Sequence, residues 1–181
     1  MIIDDFLKRL NACSIAKEWA KGKEWEEIYN TYPNGSWLSW LFYRTNIVLN
    51  FSQEDFKLFV LVSGNQCLLI KNLIEHKNSL DAVYAAIRYG EGYISLEQLI
   101  EASKKASDIA KYSNGASASF AADAAYSAIS NPQNTANYIN KATGKMSESL
   151  GSGNDDCYEK KMADIFREYI PITKFKLNDN L

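Results

Sequence analysis

The chain has 181 residues, 46% hydrophobic and 23% charged, a composition that suits one folded domain with a core needing neither disulfide nor metal. Twenty basic and 22 acidic residues leave a net charge of −2 with no polarised block, so the sequence offers no basic stripe for nucleic acid and no acidic tail. The three cysteines, Cys13, Cys67 and Cys157, are odd in number and far apart, which excludes a CxxC zinc or redox motif.

Taken in chain order, the elements are helical. Ile3, Phe6, Leu7, Leu10, Cys13, Ala16 and Ala20 recur at three- and four-residue steps, with Asp4, Asp5, Lys8, Arg9, Lys17 and Lys21 opposite. That pattern predicts one amphipathic helix ending at Gly22, with Cys13 and, later, Cys67 as small buried hydrophobes. A short helix over about Glu24–Tyr32 stops at Pro33-Asn34-Gly35, and Ser36 is the expected N-cap for Trp37–Asn46. Ser52 with Asp55 predicts a cap for the long apolar segment that follows. Within it, Phe59-Val60-Leu61-Val62 suits a buried strand, but apolar character resumes at Cys67 and runs to Ile74, a length that favours helix.

A further helix covers Leu80–Tyr89 and closes at Gly90. Ser95 and Gln98 form a capping box for the next, whose inner stripe is Leu99, Ala102, Ala106, Ile109 and Ala110, broken by Asn114-Gly115. Seven alanines between Ala116 and Ile129 predict a helix that neighbours approach closely, ended by Asn131-Pro132. A weaker helix spans Gln133–Leu150, followed by a Gly-Ser-Gly-Asn link. The last helix is capped by Asp155 or Asp156 and lined by Tyr158, Met162, Ile165, Phe166 and Tyr169, ending before Pro171. The expected fold is therefore all-α: a single domain over residues 1–181, a bundle of about seven to nine helices.

Tests for chemistry fail one by one. His76 is the single histidine, with no second ligand or nucleophile nearby, and reads as a surface or helix C-terminal residue. Gly144-Lys145 lacks the glycine five positions earlier, where Ile139 stands, and Met146 replaces the hydroxyl residue of a phosphate loop. Asn154-Asp155-Asp156 lacks the twelve-residue calcium spacing and terminal glutamate. MIIDDFLKRL has no basic and apolar leader pattern, and the segment Phe56–Ile74 is interrupted by Ser63, Gly64, Asn65 and Gln66. The expectation is a cytoplasmic binding protein with no cofactor, no metal, no catalytic residues and no membrane span. Trp19, Trp25, Trp37 and Trp40 read as a core cluster, the alternative being that one or two anchor a partner. Candidate partner contacts lie on loops: Tyr89 and Tyr93 around a glycine turn, the alternative being that they pack inward, and Asn154, Asp155 and Asp156.

Two segments carry a resemblance. Asn11-Ala12-Cys13-x-x-Ala16-x-x-Trp19-Ala20 opens the chain, and Ala163-Asp164-Ile165-Phe166-Arg167-Glu168-Tyr169-Ile170-Pro171 closes it. Between them stand Tyr29, Tyr32 and Asn34-Gly35-Ser36-Trp37-Leu38-Ser39-Trp40-Leu41, then the alanine-rich block. These resemble an immunity protein family of bacterial polymorphic-toxin loci, with its "ACxxAxxWA" helix, a W-x-x-W run and a closing "ADIxRExIP". Tyrosines stand where that family commonly has tryptophan and cysteine, and Ser36 stands for its aspartate. The resemblance implies a helical domain in which Cys13, Trp19, Tyr29, Trp37, Trp40, Asp164 and Arg167 are structural. It also implies a protein partner, a cognate toxin that the chain neutralises by stoichiometric binding. A phage or mobile-element protein engaging a host or defence component is the second expectation, and an enzyme of unrecognised type the third.

Overall fold

The computed structural model describes residues 3–48, 52–110, 123–124, 126–150 and 155–175; the side chains of residues 4, 46–48, 110, 144–150, 155 and 156 lie outside the description. Among the described residues every secondary-structure element is a helix, as expected. The α-helices are α1 (Ile3–Arg9), α2 (Ser14–Ala20), α3 (Trp25–Thr31), α4 (Gly35–Val48), α5 (Gln53–Cys67), α6 (Lys77–Gly90), α7 (Leu96–Ala110), α8 (Pro132–Leu150) and α9 (Asp155–Tyr169). Residues 126–130 are helical too. The expected break at Asn114-Gly115 and the link before Asp155 fall outside the described residues, as does most of the alanine block.

The single N-terminal helix expected from periodicity is two helices. The Ala12 N–H donates to the Leu7 carbonyl at 2.9 Å and the Asn11 N–H to the Lys8 carbonyl at 3.0 Å. Asn11 sits at φ 56°, so α1 ends in a Schellman turn with asparagine in the left-handed position. Leu7 and Ala12 both remain buried, which is why the apolar spacing continues smoothly across the break. Cys13 becomes the N-cap residue of α2 and is exposed, against the expectation of burial, whereas Cys67 is fully buried.

Capping explains the other boundaries. The Asn34 side-chain carbonyl accepts from the Trp37 N–H at 2.7 Å, so Asn34, not Ser36, caps α4. Ser52 caps α5 as expected, accepting from the Asp55 N–H at 3.1 Å. The Ser95–Gln98 box closes in both directions, at 2.9 and 3.4 Å. His76 stands at the start of α6 rather than at a helix C-terminus. The apolar run ends in a 3₁₀ segment, Leu68–Leu73, and a second one, Ile172–Lys174, follows Pro171.

Helix α5 is the centre: it packs on α6, α8 and α9, and its residues 59–64 are all buried. A helix enclosed on several sides has no polar face to show, which is why Phe59–Val62 looked strand-like. Its buried polar groups reach outward to other helices: Ser63 Oγ donates to the Pro132 carbonyl at 3.4 Å and Gln66 Nε2 to the Met162 carbonyl at 3.1 Å. Two glycines set its distance from α6. A Cβ on Gly90 would stand 2.3 Å from Leu61 Cβ, and one on Gly64 would stand 2.9 Å from Ile87 Cγ1.

Candidate functional site

Two surfaces stand out, one concave and one convex. The concave one is a groove of about 440 Å³ between α2, the start of α4 and the first turns of α8. Its construction begins with the aromatic cluster. Tyr32 lies 4.4 Å from Trp19 and 4.5 Å from Trp37, ring centre to ring centre, and Trp37 lies 6.5 Å from Trp40. Trp37 is buried, whereas Trp19 and Trp40 are half-buried. Lys23 Nζ sits 3.2 Å above the Trp19 ring.

The segment carrying Tyr32 is held by Arg167. Its Nε donates to the Tyr29 carbonyl at 2.6 Å, its guanidinium also donates to the Tyr32 carbonyl, and Asp164 pairs with it at 3.3 Å. These carbonyls belong to the C-terminal end of α3, where a cation is favoured by the helix dipole. The Tyr29 hydroxyl returns the tie by donating to the Ile170 carbonyl. Burial pulls the Arg167 pKa down from its usual value, opposed by Asp164 and Tyr29. Burial likewise raises the Tyr29 and Tyr32 phenols above the ordinary value, so both are neutral at physiological pH.

The start of α4 is held by a second clamp. Glu159 of α9 accepts from the Ser36 N–H at 3.0 Å and from Ser36 Oγ at 2.8 Å, and Asn140 Nδ2 donates to Ser36 Oγ at 2.9 Å and to Glu159. A carboxylate on the free N–H groups of a helix start is well placed electrostatically. Gly35 is required here, because its Cβ would stand 2.4 Å from Met162 Cβ and 2.6 Å from the Ala163 nitrogen. The facing wall presents Gln133, Asn134 and Asn137.

The convex surface lies at the turn from α6 to α7. Tyr93 (73% exposed), Leu96 (40%) and Ile100 (44%) stand outside the core at steps of three and four residues. The turn is well defined: Gly92 at φ 84° ends α6, and the Tyr93 N–H donates to the Arg88 carbonyl at 2.8 Å. Tyr93 therefore stays a surface residue, as the sequence suggested. Tyr89 does not. It lies on the last turn of α6, 2% exposed, with its ring 6.3 Å from Phe56, because its position continues the buried stripe of Ala82 and Ala86. Asp155 and Asp156 occupy the first turn of α9, where only their backbone is described, and Asn154 lies outside the described residues.

Of the set implied to be structural, Tyr29, Trp37, Asp164 and Arg167 meet around the α3–α9 contact or its groove, and Cys13 and Trp40 line the groove. Sequence reasoning did not single out Leu96, Ile100, Glu159, Gln133, Asn134 or Asn137. The carboxamides carried a readable signal: four amides from 133 to 140, three of them asparagines, poor helix formers on a helix, and three of the four line the groove. Leu96 and Ile100 carried none, since an apolar residue beside a buried stripe looks like part of it.

No protein-family model, curated protein or solved structure matches the chain. Among the described residues no cluster of three or more His, Cys, Asp or Glu could hold a metal ion, and no helix is long and apolar enough to cross a membrane.

Proposed function

We propose that the chain is a binding protein of the immunity type, which neutralises a cognate toxin by one-to-one association. The observation that carries this reading is the exposed apolar set Tyr93, Leu96 and Ile100 on a firmly built turn and helix start. Rigid presentation matters because association then orders few side chains. The rim around the set carries both signs, with Glu91, Glu97 and Glu101 exposed beside Arg88, Lys104 and Lys105, and Lys105 paired to Glu101 at 2.8 Å. Hydrogen bonds from Ser95 and Lys105 respectively hold the Glu97 and Glu101 carboxyls below the usual carboxylate range, so both are charged at neutral pH. The fitting partner surface is an apolar pocket with a rim of mixed charge, burying about 800 Å² on each side. The sequence resemblance to toxin-locus immunity proteins supports the same class of partner.

The test is a titration against the product of the adjacent gene. Protection is expected to saturate near one equivalent, with the toxin's mass unchanged. Leu96→Asp with Ile100→Asp should weaken the complex at least 30-fold, the equivalent of about 2 kcal/mol for a lost anchor pair, while leaving the melting temperature intact. Neutralisation by a small fraction of an equivalent, with a modified toxin recovered, would replace binding by catalysis.

A further inference from the structure

The groove beside the aromatic cluster is a second site, and its chemistry is specific. Among the described residues, none of the side chains that line it carries a formal charge. Glu159, which reaches the lining residue Ser36 from behind, is already committed to the start of α4 and to Asn140. A charged ligand would lose hydration here without gaining a counter-charge, so the groove selects a neutral one.

One wall is made of carboxamides. Gln133 and Asn137 are one helical turn apart on α8, with Asn134 beside them. Each offers a carbonyl acceptor and two N–H donors, the complement of a peptide group. Side chains one turn apart have Cβ atoms about 5–6 Å apart. An extended peptide presents its N–H and C=O groups on one edge at about 7 Å, two residues at roughly 3.4 Å each. The two repeats match closely enough for flexible amides to follow a strand. The opposite wall is aromatic, Tyr32, Trp37 and Trp40, with Ile15 (76% exposed) as an apolar lip. Trp37 is 7% exposed, and its indole N–H is buried without an acceptor.

We propose that this groove binds an extended, uncharged peptide segment of a partner protein, its backbone paired by the α8 carboxamides and its apolar side chains packed on the tryptophans. The assignment does not rest on the toxin reading, because it uses none of Tyr93, Leu96 or Ile100. It differs from a carbohydrate site in the demand for alternating donors and acceptors at strand spacing.

The test applies the full chain to an array of immobilised twelve-residue peptides, each printed in neutral, doubly acidic (two Asp) and doubly basic (two Lys) versions, beside an array of neutral oligosaccharides. Neutral peptides should be retained at least tenfold better than either charged version. Asn134→Ala with Asn137→Ala should lower that retention at least tenfold at an unchanged melting temperature, since alanine favours the helix. In a Cys157→Ser background, alkylation of the exposed Cys13 at the groove rim with N-ethylmaleimide should abolish it, and Leu96→Asp with Ile100→Asp should leave it unaltered. Retention independent of charge, retention insensitive to the amide variant, no retained peptide, or capture of oligosaccharides in place of peptides would each overturn the assignment.

Discussion

The chain builds its interior in two ways. Around α1–α4 and the end of α9, the core is aromatic: Phe42 meets Phe59, Phe166 and Phe175 at centroid distances of 5.4–5.9 Å, each near edge-to-face. Around α6–α8, it is built largely of small residues, among them Ala82, Ala86, Ala106, Ala124, Ala128, Ala136 and Ala142. The helices differ accordingly. In the aromatic half α1, α2 and α3 have seven residues each, too short to be stable alone, and large rings with side-chain clamps hold them. In the small-residue half helices of fourteen to nineteen residues pack backbone to backbone, and glycine and alanine set the spacing. Short helices leave ends and turns at the surface, which is why the groove forms in the aromatic half. Long close-packed helices leave a continuous face, which is where the apolar set of α7 appears.

Five changes would break or sharpen this contrast. The largest effect belongs to Phe42→Ala, which removes a fully buried ring from the middle of the aromatic half. A loss of about 3–5 kcal/mol in urea unfolding is expected. Trp19→Ala should cost less than that, because Trp19 is only half-buried.

Next comes Arg167→Met, which keeps the aliphatic stem but leaves the Tyr29 and Tyr32 carbonyls without their charged donor. About 2–3 kcal/mol should be lost. Amide exchange should accelerate in α3 and leave α6 and α7 protected, and uniform acceleration would show that the two halves open as one unit.

In the small-residue half the sharpest probe is Gly90→Ala, which places a methyl group 2.3 Å from Leu61 Cβ and 3.0 Å from backbone atoms of α5. Overpacking of about 1–3 kcal/mol is offset by up to roughly 1 kcal/mol of regained helix propensity. A lower melting temperature is the expected outcome; an unchanged one would mean that α5 and α6 separate without cost.

The smallest effect concerns pH. Burial raises the Tyr29 phenol above its ordinary value of 10.0, so its contribution is fully present below that value and is lost as pH climbs through the higher folded value. Tyr29→Phe removes the bond to the Ile170 carbonyl and should cost about 1 kcal/mol at pH 7. Between pH 9 and 11 the difference between the two proteins should narrow. A constant gap would assign the cost to packing alone.

Sequence alone determined the helical class, most helix ends and the caps at Ser52 and Ser95, because those signals act within a few residues along the chain. It also placed the final helix between the Asp155–Asp156 pair and Pro171, where apolar spacing and a following proline agree, although both aspartates lie in its first turn rather than capping it. Other features needed the tertiary structure. The break at Asn11 was hidden because Leu7 and Ala12 face one core across it. The cap of α4 moved from Ser36 to Asn34 because Glu159, 123 residues away, engages Ser36. Tyr89 was drawn inward, and Leu96 and Ile100 left outside, by which neighbours cover each face of α6 and α7. Periodicity reports that a face is apolar; only the arrangement of the surrounding helices decides how much of that face is covered.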